Sequence, residues 1–266
     1  MQINFSKYHG AGNDFILMDK RENNISLSKD QIATICKRRY GVGADGFMTL
    51  ENSDSHDFLM KYYNSDGNEG SMCGNGGRCI IAFAKDLGII DKQATFMAPD
   101  GVHKAAINSS NNSSHDISLN MNDVKEVNRN KNIFFLDTGS PHHIEFVEDL
   151  SEIDIDNKGR EIRYWDKYKA NNGTNVNFIE TNSSIIRIRT YERGVECETH
   201  ACGTGATAAA IAFAIKENIY DKEIKLQALG GILRVSFEYT NNIFTNIVLS
   251  GPAKRVFEGS YSFKSI

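Results

Sequence analysis

Two short stretches of this chain are built for acid–base chemistry: Cys73-Gly74-Asn75-Gly76-Gly77 and Cys202-Gly203-Thr204-Gly205-Ala206. In each, a cysteine stands just before a Gly-x-Gly turn, where missing side chains let the backbone approach a ligand closely. The residues that follow read as helix. The unpaired N–H groups of a first helical turn, and a macrodipole of about +0.5 charge, therefore converge on Gly74 and Asn75 in one copy and on Gly203 and Thr204 in the other. A carboxylate fits such an anion site. The same dipole lowers the pKa of a cysteine at a helix start and enlarges its thiolate fraction. Base and anion site thus come together, and they come twice.

Inverting a carbon centre by proton transfer needs a base on one face, an acid on the other, and a clamp on the carboxylate that takes up the developing charge. Two copies of the motif meet that demand, with Cys73 and Cys202 as the pair and with no metal or pyridoxal required. Taken alone, either cysteine could also be a small buried hydrophobe. Cys79 and Cys197, close by in sequence, raise a four-thiolate zinc site, but their C-x5-C and C-x4-C spacings lack the tight knuckle of most structural zinc sites. Cys79 falls inside the first helix and reads as core. His142 and His143 are neighbours on a strand pattern, so at most one of them faces a site. No cofactor and no metal are expected.

The elements that must position these turns are mostly strands. Ile3 to Tyr8, Phe58 to Tyr63, Ile185 to Tyr191 and Leu233 to Tyr239 read as strands, and Ser28 to Arg39 reads as an amphipathic helix with Ser28 as N-cap. The chain also repeats itself once. KYYNSDG leads through MCGNGGRC and a helix to TFMAPDG and VHKAAI; IRTYERG leads through HACGTGATA and a helix to KLQALGG and ILRVSF. From Cys73 to Gly101 is 28 positions, and from Cys202 to Gly230 is again 28.

Strands outnumber helices without regular strand–helix–strand alternation, which points to an α+β fold: two similar domains, each a curved, mostly antiparallel sheet around a central helix. The polar run Asn108 to Ser114 either tips a hairpin or marks the boundary, and we expect halves 1–114, with Cys73, and 115–266, with Cys202, the last strand being free to return to the first half.

Composition removes other function classes. Lys plus Arg number 30 against 34 for Asp plus Glu, so no basic excess points to nucleic acid. No apolar run reaches the ~18 residues of a membrane span, and the N-terminus lacks the apolar core of a signal peptide, so the expected compartment is the cytoplasm, with free thiols.

HGAGNDF (His9 to Phe15), YGVGADG (Tyr40 to Gly46), YNSDG, MCGNGGRC, NVNF (Asn175 to Phe178), YERG (Tyr191 to Gly194), ACGTGA and SGPA (Ser250 to Ala253) form an ordered set. In that set the chain resembles, nearly end to end, the diaminopimelate epimerases, which interconvert L,L- and meso-diaminopimelate. The resemblance implies Cys73 and Cys202 as the acid/base pair in a cleft between the halves, a homodimer, and a place in the supply of lysine and peptidoglycan precursors. It also implies substrate contacts from Asn13, Asn64 and Asn175, and from Glu192 and Arg193 of YERG. An Arg can grip a distal carboxylate with its two-pronged guanidinium, and a Glu can accept from a distal ammonium. For Asn64 a plain turn role stands as the alternative. The chain departs from the resemblance at GSPH, where much of the family reads GNPH: Ser140 replaces asparagine while His142 is kept, and the shorter serine is expected to reach a substrate only through water. Proline racemases and hydroxyproline epimerases share opposed cysteines but take a substrate with no distal charged centre, and a thiol redox switch would need no paired anion sites.

Overall fold

The computed structural model describes residues 1–23, 25–70, 73–181 and 185–263, so Met72 of the MCGNGGRC motif lies outside the described residues. Two units divide the chain, one comprising Met1–Leu119 with Pro252–Ile266 and the other Asn120–Gly251.

In the first unit, β1 (Gln2–Gly10) and β2 (Asn13–Asp19) precede the first helix, α1 (Lys29–Cys36). Ser28 caps α1 reciprocally with Gln31, the side chain of each accepting from the backbone N–H of the other. The helix ends at Cys36 and not at the expected Arg39, because the returning chain takes its last carbonyls: Gly43 N–H donates to Ile35 and Ala44 N–H to Cys36. Then come β3 (Gly46–Glu51), β4 (Phe58–Asn64), α2 (Gly74–Asp86), β5 (Gln93–Ala98), β6 (Gly101–Asn111) and β7 (Ser114–Asn120). The Asn108 to Ser114 run forms the tip of the β6–β7 hairpin, in which Asn111 pairs with Ser114.

The second unit carries β8 (Val127–Asn130), β9 (Ile133–Asp137), β10 (Pro141–Phe146), α3 (Ile155–Arg163), β11 (Asn175–Glu180), β12 (Ile186–Glu192), β13 (Cys197–Thr199), α4 (Gly203–Glu217), β14 (Ile224–Ala228) and β15 (Gly231–Thr240). The last strand, β16 (Ile243–Ser262), begins in this unit, where it pairs with β15, and ends in the first, where Lys254 to Ser262 pair with β1. The chain thus returns to its first strand.

Pairing directions show the repeat plainly. In the first unit β2–β3 and β4–β5 are parallel, with α1 and α2 as their crossovers; in the second β10–β11 and β12–β14 are parallel, crossed by α3 and α4. The remaining neighbours described in each unit pair antiparallel. The fold is α+β, each unit packing its sheet on a central helix. Both central helices are buried nearly all round: α2 from Gly74 to Ala84 and α4 from Ala206 through Ala212. Ala98 pairs with Gly101 and Ala228 with Gly231, so the structural counterpart of Gly101 is Gly231, one residue beyond Gly230.

The far end of α2 is anchored as well. Asp86, its last residue, accepts from the Tyr8 hydroxyl at 2.5 Å and meets His115 Nε2 at 3.0 Å. Burial, with that bond, pushes the Tyr8 phenol above its ordinary pKa. No helix among the described residues is long and apolar enough to cross a membrane.

Gly159 inside α3 shows how tightly the second unit packs: a Cβ there would sit 2.4 Å from Tyr191 Cβ on β12. Gly159→Ala should raise helix propensity yet lower Tm, with an overpacking cost of about 1–3 kcal/mol, measured by thermal denaturation.

Candidate active site

Cys73 is the N-cap of α2 and Cys202 the N-cap of α4, both with extended backbone (φ −114° and −119°). The chain turns into a helix at the cysteine, leaving the first-turn N–H groups facing outward along the helix axis. Cys202 is buried and Cys73 partly so.

In the first unit, Cys73 Sγ donates to Asn13 Oδ1 at 3.7 Å, and Asn75 Nδ2 donates to the same oxygen at 3.2 Å. The Asn13 amide nitrogen donates to Asp45 Oδ2 at 2.8 Å. Arg38 spans Asp14 and Asp45, donating at 2.5 Å and 2.8 Å. Burial alone would raise the Asp14 carboxyl, but hydrogen bonds from Arg38 and Lys7 hold it at about 2. Behind the turn, fully buried Arg78 donates to the Gly74 carbonyl at 3.2 Å and to Asn75 Oδ1 at 2.7 Å, fixing the asparagine. Asn64 ends β4 with its side chain exposed; its carbonyl accepts from Gly67 and its N–H donates to the Asn68 carbonyl, so its backbone does serve a turn.

The second unit repeats the plan with other residues. Cys202 Sγ accepts from Gly205 N–H at 3.4 Å and lies 3.4 Å from Thr204 Oγ1. Thr207 takes the place of Arg78, its hydroxyl donating to the Gly203 carbonyl at 3.1 Å. Thr138 donates to the Thr204 carbonyl at 2.9 Å. Gly205 can only be glycine, since a Cβ there would meet Asn177 Oδ1 at 2.4 Å. Asn177 in turn accepts from Thr190 and donates to the His143 carbonyl and to His142 Nδ1, the last at 3.1 Å. His142 is fully buried; burial, and then the charge of Arg193, pushes its pKa down to about 3, so the ring is neutral with its proton on Nε2. His143 faces the other way, its Nδ1 2.6 Å from the Tyr168 hydroxyl. Only His142 shares the Cys202 side of the strand.

Asn175, Ser140 and Arg193 form one cluster. Ser140 Oγ accepts from Asn175 Nδ2 at 2.8 Å and from Arg193 Nη2 at 3.3 Å, while Arg193 N–H donates to Asn175 Oδ1 at 2.8 Å. Serine at this position therefore contacts the arginine directly. Glu192 Oε2 accepts from Thr199 Oγ1 at 2.9 Å. The loop carrying Glu192 and Arg193 is held by Glu196, which receives the Gly194 N–H, the Tyr191 hydroxyl and the buried Arg163 guanidinium. Burial would raise the Glu196 carboxyl; the Gly194 and Arg163 bonds outweigh it and leave it lowered.

The other thiols differ. Burial pushes Cys36 up to about 12 and raises Cys79 further, which leaves both as inert core groups, and Cys197 lies exposed on β13. The supporting residues Asp45, Arg38, Arg78, Thr199 and Glu196 escape a reading of motifs because they act on other side chains. Asp45 and Arg78 did carry a signal, as the acid inside YGVGADG and the arginine inside MCGNGGRC.

A model of the diaminopimelate epimerase family matches residues 5–127 and 134–256, nearly all of both units. A diaminopimelate epimerase of Flavobacterium psychrophilum is 52% identical over 95% of this chain and 97% of its own length. The chain belongs to the diaminopimelate epimerase family. It is thereby an isomerase, and the identity is spread widely: the Aquifex aeolicus diaminopimelate epimerase is 36% identical over 98% of each chain. Among solved structures, a PhzF-family phenazine biosynthesis protein of Bacillus anthracis aligns with TM-score 0.79 at 16% identity, over 99% of this chain and 100% of its own. A hydroxyproline epimerase of Agrobacterium vitis aligns with TM-score 0.70 at 12% identity, over 97% and 92%. At such identities these two share the fold with this diaminopimelate epimerase family member and no more.

The depressed Asp14 carboxyl carries a pH dependence. Its folded pKa lies below its unfolded value near 3.8, so its stabilising contribution is complete above that value and is lost as pH falls toward about 2. Asp14→Asn should lower Tm at neutral pH, and the gap to the parent protein should close as pH falls through that window in thermal melts.

Proposed function

We propose that this enzyme interconverts L,L- and meso-diaminopimelate by a two-base proton transfer between Cys73 and Cys202, without cofactor. The observation that carries this reading is the matched pair of cysteine N-caps, one at the start of each central helix, in a chain of this family.

The chemistry follows from the local groups. A thiolate takes the α-proton from one face of the substrate carbon, and the thiol opposite delivers its own proton to the other face. The first sulfur ends as a thiol and the second as a thiolate, so the pair is ready for the reverse stereoisomer. Between the two transfers the charge moves into the α-carboxylate. First-turn N–H groups at Gly74, Asn75, Gly203 and Thr204 are the donors proposed to meet it, and a single donor aimed at such charge can be worth roughly 3 to 4 kcal/mol. His142, with its pKa down at about 3, puts no cation beside the thiolate and is too weak a base to compete with it for the proton.

Substrate choice rests on the distal end. Arg193, steadied by Ser140 and by the Asn171 carbonyl, supplies a fork for the distal carboxylate, and Asn175 adds an amide. Glu192, oriented by Thr199, accepts from the ammonium. Asn13 and Asn64 complete the contacts from the other half. We place the enzyme in the cytoplasm as a homodimer, with each of the two units giving one cysteine, in the supply of lysine and peptidoglycan precursors.

The test is a stereochemical assay of the reduced protein with L,L-diaminopimelate, L-proline and trans-4-hydroxy-L-proline. Only diaminopimelate should be epimerised, and Cys73→Ala and Cys202→Ala should each lower kcat by roughly 10²- to 10⁴-fold. Turnover of the proline substrates instead would overturn the substrate, and an alanine variant with undiminished kcat would overturn the cysteine pair.

A further inference from the structure

We infer that in the ligand-free enzyme Cys73 is held as the thiol by Asp45 acting through Asn13, and that Cys202 is the resting thiolate. The catalytic meaning of this assignment rests on the two-cysteine reading above; the ionisation itself belongs to the free protein.

The argument runs through hydrogen-bond polarity. A carboxylate can only accept, and Asp45 is fixed as one: Arg38 Nη2 donates to its Oδ1 at 2.8 Å and Asp14 N–H to its Oδ2 at 3.2 Å. The Asn13 amide must therefore present its nitrogen to Asp45, at 2.8 Å, and its oxygen to the opposite side. That oxygen receives Asn75 Nδ2 at 3.2 Å and lies 3.7 Å from Cys73 Sγ. A carbonyl oxygen also only accepts, so the sulfur facing it is stabilised as S–H and opposed as a thiolate.

At Cys202 the polarity is reversed. The Gly205 N–H, 3.4 Å away, can only donate, and the Thr204 hydroxyl at 3.4 Å is free to turn its proton toward sulfur. Both contacts favour the thiolate. The helix dipoles do not separate the two residues, because each cysteine is the N-cap of a helix of similar length, 13 and 15 residues.

Around Cys73, Lys7 and Arg38 balance Asp14 and Asp45, while Arg78 on α2 donates to Gly74 and Asn75 and Cys79 is a buried thiol. Arg78 works against the assignment by its charge, and the Asn13 oxygen works for it by contact. Around Cys202, β10, β11 and β12 bring neutral His142, Asn177 and Thr190, linked to one another and to Gly205. Asp45 touches neither sulfur, and its role is that of a positioning residue.

The experiment titrates the thiolates of the reduced full-length protein without substrate. Far-ultraviolet thiolate absorbance is followed against pH in Cys73→Ser and Cys202→Ser, and iodoacetamide labelling rates are mapped to each cysteine by mass spectrometry in the parent, Asp45→Leu and Asp45→Asn. Cys197 is common to all these proteins and cancels. Near neutral pH the thiolate signal should survive Cys73→Ser and vanish in Cys202→Ser, and the labelling midpoint of Cys202 should lie at least one pH unit, about tenfold in thiolate ratio, below that of Cys73. Asp45→Leu should move the Cys73 midpoint to lower pH, because its amide partner can then turn its nitrogen toward sulfur; Asp45→Asn, which keeps an acceptor oxygen, should restore it. A thiolate that vanishes in Cys73→Ser, or a Cys73 midpoint unmoved in Asp45→Leu of native circular dichroism, would overturn the assignment. Should Asp45→Leu not fold, the two serine variants decide alone. Absence of diaminopimelate epimerisation in a parent protein that titrates as expected would instead overturn the function and leave the ionisation standing.

Discussion

The organising constraint is the parallel crossover. Two neighbouring strands that run the same way cannot be joined by a hairpin and need a longer connection, which in both units carries a helix. In each unit the inner parallel pair, β4–β5 and β12–β14, is bridged by a central helix whose N-cap is a cysteine. The sheet buries the helix body, and the first turn is left with backbone donors that no carbonyl of the helix can satisfy. A thiol set there has an anion site built around it. The matched cysteine N-caps thus sit on one crossover plan, met twice.

The two copies have since specialised at the level of hydrogen bonds. Where the first turn is braced by a buried guanidinium, Arg78, the second uses a threonine hydroxyl, Thr207, to reach the equivalent carbonyl. Asn13 stands over the first sulfur and backbone N–H over the second. In the second unit Ser140, Asn175 and Arg193 lock one another.

Much of this was legible in the sequence, and the exceptions have physical causes. The cysteine turns announced themselves because Gly-x-Gly behind cysteine is rare chemistry at matched spacing. The α3 helix went unseen: its interior Gly159 weakens the helical pattern, although the Asp154 cap and its place opposite α1 in the repeat could have revealed it. The repeat itself was read one residue short at Gly230, since an alignment of glycines cannot tell which of two adjacent ones closes the β14–β15 turn. The contact of Ser140 with Asn175 and Arg193 was not legible, because it depends on β10 and the turn after β12 being brought together. Residues such as Asp45, Arg38 and Glu196 work through other side chains, and only coordinates expose that kind of dependence.

The claim on which everything turns is that two different groups hold the proton on opposite faces of one carbon. The most direct measurement is the early-time isotope content of both stereoisomers when L,L-diaminopimelate is converted in deuterium oxide. With two bases, meso product should carry one solvent deuterium at the inverted carbon from the first turnovers, while the remaining L,L substrate stays protiated. Deuterium appearing in the L,L substrate as fast as in the product, or product that retains the original proton, would show a single base on one face and contradict the account.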